Sequence, residues 1–232
     1  MKVVIYLYNG ITMLDAIGPY EVLRNMEGAE IVFVGETKGE MKADSGFTGI
    51  HANQSIDEVK EADILLIPGS TIGFMNEMNK QKVLQWIKEV DRTTKWTVSV
   101  CTGSLILAAA GLLNGLKATS HWRAVQLLGE YGAIPTRERV VEQGKYITAA
   151  GVSAGIDMAL QLANHIVGEE ATKAIQLMLE YDPMPMFHSG NFLTADETIR
   201  KISENKLKRE AAKELGFLGL LKNSKKILKM IK

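Results

Sequence analysis

The residue best suited to covalent chemistry is Cys101, the single cysteine among 232 residues. It ends the run Trp96-Thr97-Val98-Ser99-Val100, whose apolar and β-branched character predicts a buried strand. Thr102-Gly103-Ser104-Leu105 follows, small residues that turn into an apolar helical stretch. A strand-to-helix turn of this kind is a nucleophile elbow, which presents a side chain at the carboxyl edge of a sheet. Free N–H groups at the start of the helix favour thiolate over thiol, lowering a reference pKa of about 8.5. The competing reading is a small, inert core residue.

Three further positions bear on that thiol. Pro68-Gly69-Ser70 ends the preceding apolar run, and there the Gly69 N–H, with the N–H of Thr102, can face a developing oxyanion. An ordinary turn explains the same Pro-Gly pair. The Thr102 hydroxyl is a candidate contact for substrate. Asp15 is acidic amid Leu14, Ala16 and Ile17, in the loop expected after the first strand, where it can reach the same crevice. Burial, or one proton shared with the thiol, would make Asp15 an acid at neutral pH, while helix capping near Gly18-Pro19 is the structural alternative. His121, in Thr119-Ser120-His121-Trp122, can orient a nucleophile or serve only structure. His51, His165 and His188 show no metal-ligand spacing, and one cysteine excludes multi-thiolate zinc sites, so no metal is predicted.

The elements that position these residues are legible as alternating patterns. Strands are predicted at 3–7, 31–34, 64–67, 97–100 and 146–149, and helices at 19–26, 83–91, 103–113, 156–167 and 169–181. Such alternation indicates an α/β fold with a mostly parallel sheet covered on both faces. Residues 40–51, with Asp44-Ser45-Gly46, fit a hairpin or irregular excursion. Pro19 suits the first turn of its helix. The last helix is expected to stop at Asp182-Pro183-Met184-Pro185.

Formal charge is zero, with a pI near 6.9, and no nucleic-acid footprint is visible in the first two hundred residues. A small neutral substrate fits better. No apolar stretch reaches the roughly 18 residues of a membrane span. One cysteine, 11 methionines and an N-terminus unlike a signal peptide favour the cytoplasm. Two segments are expected: an α/β domain over 1–192 and a basic, helical C-terminal extension over 193–232. From Lys201 to Lys232 there are ten Lys or Arg and three Glu. Phe217, Leu220, Leu221, Ile227, Leu228 and Ile231 can line one face there, for docking or simply for packing.

Several of these segments, taken in order, resemble one known family. They are Asp15-Ala16-Ile17-Gly18-Pro19, Pro68-Gly69, Val100-Cys101-Thr102-Gly103, Thr119-Ser120-His121-Trp122, Gly151-Val152-Ser153-Ala154-Gly155 and Tyr181-Asp182-Pro183. The chain is similar to the ThiJ/PfpI superfamily (class I glutamine amidotransferase-like), from Met1 to about Phe187, and within it to the isonitrile hydratase branch. The resemblance implies a flavodoxin-like three-layer sandwich, a homodimer with its site near the subunit interface, and a cofactor-independent hydro-lyase. Carried over, Cys101 would be the nucleophile, Asp15 the acidic partner, Thr102 an active-site neighbour, and Gly69 part of the oxyanion pocket.

Thr102 stands where the protease-like branch has histidine, which disfavours peptidase activity. Asp15 stands where the glyoxalase or deglycase branch has glutamate. Two alternatives remain: hydration of a reactive carbonyl by the same thiolate, and a cysteine-based redox or ligand sensor. Related domains front AraC-type regulators, but the forty or so residues after Phe192 are too few for their paired DNA-binding units.

Overall fold

The computed structural model describes residues 1–213. In chain order its elements are β1 (Lys2–Tyr6), α1 (Met13–Leu23), β2 (Glu30–Gly35), β3 (Gly39–Lys42), β4 (Gly49–Ala52), β5 (Gln54–Ser55), β6 (Ile64–Ile67), α2 (Phe74–Glu77), α3 (Gln81–Asp91), β7 (Trp96–Val100), α4 (Gly103–Ala109), β8 (Lys117–Ala118), β9 (Ile134–Pro135), β10 (Val140–Gln143), β11 (Tyr146–Ala149), α5 (Ala154–Val167) and α6 (Glu169–Met178).

Seven strands form one sheet in the order β10-β11-β7-β6-β1-β2-β5. Every pairing is parallel except β10 with β11, at the edge. The central strands are buried on both faces, which is why they read as continuous apolar runs rather than alternating ones. Val3, Ile5, Leu66, Val98 and Ile147 join a core shared with α1 and α5. α4, with α3 beside it, packs against β6 and β7. The fold is therefore α/β, a mostly parallel sheet with flanking helices. β3 and β4 pair as the antiparallel hairpin expected from residues 40–51.

The chain moves from β1 outward to β2, then returns to place β6, β7 and β11 on the other side of β1. That reversal opens a crevice beyond the carboxyl ends of β1 and β6, the usual place for a site in such sheets. The loops after β1, β6 and β7 carry Asp15, Gly69 and Cys101.

Two helices differ from expectation. α1 starts at Met13, so Pro19 lies in its interior rather than at its first turn. Glycines let α1 and α5 pack closely around it: a Cβ on Gly155 of α5 would lie 3.1 Å from Pro19 Cγ, and one on Gly18 would lie 3.1 Å from Ile156 Cγ1. α4 ends at Ala109, because the chain turns at Gly111 with a φ of 78°.

Met1–Leu179 form the α/β unit, and a second unit begins at Glu180, before Asp182-Pro183 rather than near Phe192. In the second unit residues 197–213 are helical, and Asp196 caps them through its Oδ1, which accepts the Ile199 N–H at 2.9 Å. Phe217 and the other apolar tail positions lie outside the described residues. No helix among the described residues is long and apolar enough to cross a membrane.

Candidate active site

The elbow is built from backbone constraint. Cys101 has a φ of 57°, in the left-handed region that a non-glycine residue enters at a cost of roughly 1–2 kcal/mol. Three hydrogen bonds hold it there. Its N–H donates to the Ala149 carbonyl at 3.0 Å, and its own carbonyl accepts the hydroxyls of Ser104 at 3.1 Å and Ser120 at 3.0 Å. Gly103 then lies directly on the end of β6, where any Cβ would run into the Ile67 carbonyl. Ser120 explains one part of the Thr119-Ser120-His121-Trp122 motif: it fixes the elbow from a loop nineteen residues further on.

Asp15 is the third residue of α1 and completely buried. Its Oδ2 accepts the Gly69 N–H at 3.0 Å. Its Oδ1 is buried with no hydrogen-bond partner among the described residues. Burial pushes the carboxyl up to about 7, against the pull of the Gly69 N–H and the Cys101 thiol, with Asp44 adding to the rise. The thiol is raised well above its ordinary value, chiefly by burial and next by the Asp15 charge, while the Thr102 N–H opposes both. The expected lowering by the helix start is thus reversed, because full burial outweighs one backbone donor. Asp15 and Cys101 form a coupled acid pair, whose titration steps belong to both groups together.

Two expected roles change with this geometry. The Gly69 N–H is not free for an oxyanion, since it already donates to Asp15. The Thr102 hydroxyl donates to the Ser70 carbonyl at 2.8 Å and accepts the Ser70 N–H at 2.9 Å. It therefore clips the elbow to the loop after β6 rather than reaching out. Gly69 has no room for a side chain: a Cβ would stand 2.5 Å from Thr102 N and 2.9 Å from Asp15 Oδ2.

His121 is pushed down to about 4 by burial and the nearby Arg123 cation, so it is neutral at pH 7. Its Nδ1 accepts the Arg123 N–H at 3.4 Å, and no hydrogen bond joins it to Cys101 among the described residues. Tyr8, which sequence reasoning missed, is buried at the end of β1 and donates to the Pro68 carbonyl at 3.0 Å. Burial raises its phenol further above the ordinary value, so it is a neutral hydroxyl. No group of three or more metal-ligating side chains occurs among the described residues.

The strained cysteine directly after β7 and the buried acid it faces both lie within the stretch matched by a family model. The DJ-1/PfpI family model covers residues 1–165. The chain belongs to the DJ-1/PfpI family. Among curated DJ-1/PfpI relatives, an isonitrile hydratase from Pseudomonas putida is 36% identical over 193 residues, spanning 83% of this chain and 84% of that protein. The transcriptional regulator CdhR from Pseudomonas aeruginosa is 32% identical over 127 residues, covering 53% of this chain but 37% of the regulator. Among solved structures, a ThiJ/PfpI family protein from Pseudomonas syringae superposes with a TM-score of 0.85 at 34% identity, over 93% of this chain and 90% of that one.

Proposed function

We propose that this protein hydrates a small isonitrile to an N-substituted formamide, with Cys101 as nucleophile and Asp15 as proton carrier. The observation that carries the reading is the Asp15–Cys101 pair: a thiol held at an elbow beside a buried carboxyl pushed up to about 7. The hydratase relative, which aligns over most of both chains, supports the choice of substrate class.

The pair supplies the two things the reaction needs. An isonitrile, R–NC, is electrophilic at its terminal carbon when that carbon can be protonated as it is attacked. With one proton on the pair, the form Asp15–COOH with Cys101–S⁻ delivers both: sulfur bonds to the carbon and the Asp15 proton moves to the same carbon. The product is the thioimidate R–N=CH–S–Cys101, with Asp15 now ionised. Asp15 then takes a proton from water as the oxygen adds to that carbon, and passes it to nitrogen. As the C–S bond breaks, the hydroxyl proton returns to Asp15 and Cys101 leaves as thiolate, giving R–NH–CHO. One water is consumed per turnover and the pair ends as it began.

The clip from Thr102 to Ser70 and the Gly69 contact keep carboxyl and thiol in register, a positioning contribution that needs no motion during the step. Thr102 N–H, at the sulfur, is the donor best placed to stabilise the thiolate. The reading places a cytoplasmic homodimer in a reducing compartment, where a lone thiol stays reduced.

The sign of the pH dependence follows from the pair. Below about 7 both groups hold protons and no nucleophile exists. Passing upward through that value removes one proton, leaving Asp15 carboxylate beside Cys101 thiol, and transfer of the remaining proton from sulfur to Asp15 gives the reactive form until the raised thiol pKa is reached. Formamide production from a simple alkyl isocyanide, followed by mass spectrometry, is therefore expected to rise through about pH 7 and then level. A rate that is flat from pH 5 to 9, or one retained in Cys101→Ala, rejects the mechanism.

A further inference from the structure

The first turn of α1 departs from the pattern its sequence sets up. A threonine N-cap with an acidic residue three positions on normally bonds back to the orphan N–H groups of its own helix. Thr12 and Asp15 occupy those two positions, yet Thr12 makes no side-chain cap. Its hydroxyl donates to Asp44 Oδ2 at 2.6 Å, and Asp15 is turned to Gly69. A cap pattern present in sequence and unused in structure marks a place where function overrides local stability.

Asp44 sits in the turn between β3 and β4, and one of its oxygens serves two loops. Oδ2 accepts Thr12 Oγ1 from the loop after β1 and Thr71 Oγ1, at 3.0 Å, from the loop after β6. The backbone repeats the connection. The Asp44 N–H donates to the Ile11 carbonyl at 2.9 Å, and Ile11 bridges Ala43 on one side and Ser70 on the other. The Thr12 N–H closes the circuit by donating to the Gly69 carbonyl at 3.0 Å.

We propose that Asp44 is a positioning residue, whose carboxylate latches Thr12 and Thr71 so that Asp15 is held on Gly69 and faces Cys101 instead of folding back to cap α1. The inference rests on Asp15 being the proton partner of the thiol. Among the described residues three titratable groups face Asp15: Cys101 from the elbow, Tyr8 from the end of β1 and Asp44 from the hairpin. Releasing the latch takes the carboxyl away from the sulfur, which removes a nearby negative charge and makes the thiol more acidic.

The test is the rate of Cys101 alkylation by iodoacetamide against pH, a readout independent of any isonitrile. Asp44→Ala is expected to move the thiol titration downward and to alkylate about tenfold faster at pH 7 for each unit of that shift. Asp44→Asn, which keeps an acceptor oxygen but no charge, is expected to stay near the wild-type profile. Thr12→Val should match Asp44→Ala and Thr12→Ser should match wild type, a pair that carries the test if Asp44→Ala does not fold. An unchanged profile in Asp44→Ala and Thr12→Val, or Asp44→Asn behaving like Asp44→Ala, overturns the latch. Asp15→Asn run alongside separates the layers: a shifted profile there with none in Asp44→Ala overturns the latch alone. No shift in Asp15→Asn overturns the pairing beneath it.

Discussion

Asp15→Asn is expected to lose turnover by about 10²–10⁴-fold, the usual contribution of a positioned acid or base, and yet to give a more stable protein at alkaline pH. The folded carboxyl titrates at about 7 against an ordinary value of 3.8. Between those values the native state binds more protons than the unfolded chain, so the wild type loses stability as pH rises through this window. The deficit is complete above pH 7 and absent below about 4. An uncharged asparagine avoids it, by up to roughly 4 kcal/mol for a shift of this size. Thermal melts of the two proteins should therefore coincide near pH 4 and diverge by pH 8, with the variant higher. Loss of activity with a lower melting point at pH 8 would show that Asp15 stabilises the fold in its charged form, contrary to this account. The coexistence of gain and loss is what distinguishes a buried acid kept for chemistry from one kept for structure.

Gly103→Ala is expected to destabilise by about 3 kcal/mol or more, since the added methyl meets backbone and cannot be relieved by a rotamer change. Its Cβ would overlap the Ile67 carbonyl and also lie 2.9 Å from the Pro68 carbonyl carbon. Either α4 moves off β6 or the elbow unwinds from its φ of 57°. Gly129→Ala is the matched control, because its Cβ would find ordinary contacts, the nearest 3.6 Å away at Pro135 Cγ. Chemical denaturation of the pair should show a large loss for the first and less than about 1 kcal/mol for the second. Equal effects would mean that the close approach of α4 to β6 contributes nothing particular.

Much of the architecture is legible because buried parallel strands are apolar throughout. The runs at Val3, Ile64 and Thr97 announce themselves, and the small residues after Val100 announce the elbow. Asp15 is legible for a related reason, as an acid in an apolar stretch. What escapes is whatever depends on a tertiary neighbour. Ser120 reaches the Cys101 carbonyl only through the fold, and Asp44 reads as an ordinary turn residue until its two threonines are seen around it. The sign of the thiol shift escapes too, since a helix start is visible locally whereas complete burial beside a carboxyl is not. Pro19 misleads because α1 begins well before it, at Met13, so the rule that places proline in a first turn does not apply.

The most direct test of the central claim is the intact mass of the protein, acid-quenched during turnover of an alkyl isocyanide. Covalent catalysis by Cys101 predicts a species heavier by the whole mass of the isocyanide, since thiol addition to R–NC loses no atoms. That adduct should map to Cys101 by peptide fragmentation and be absent from Cys101→Ala. Formamide released at full rate with the protein at its unmodified mass throughout, or an adduct on any other residue, would contradict the account.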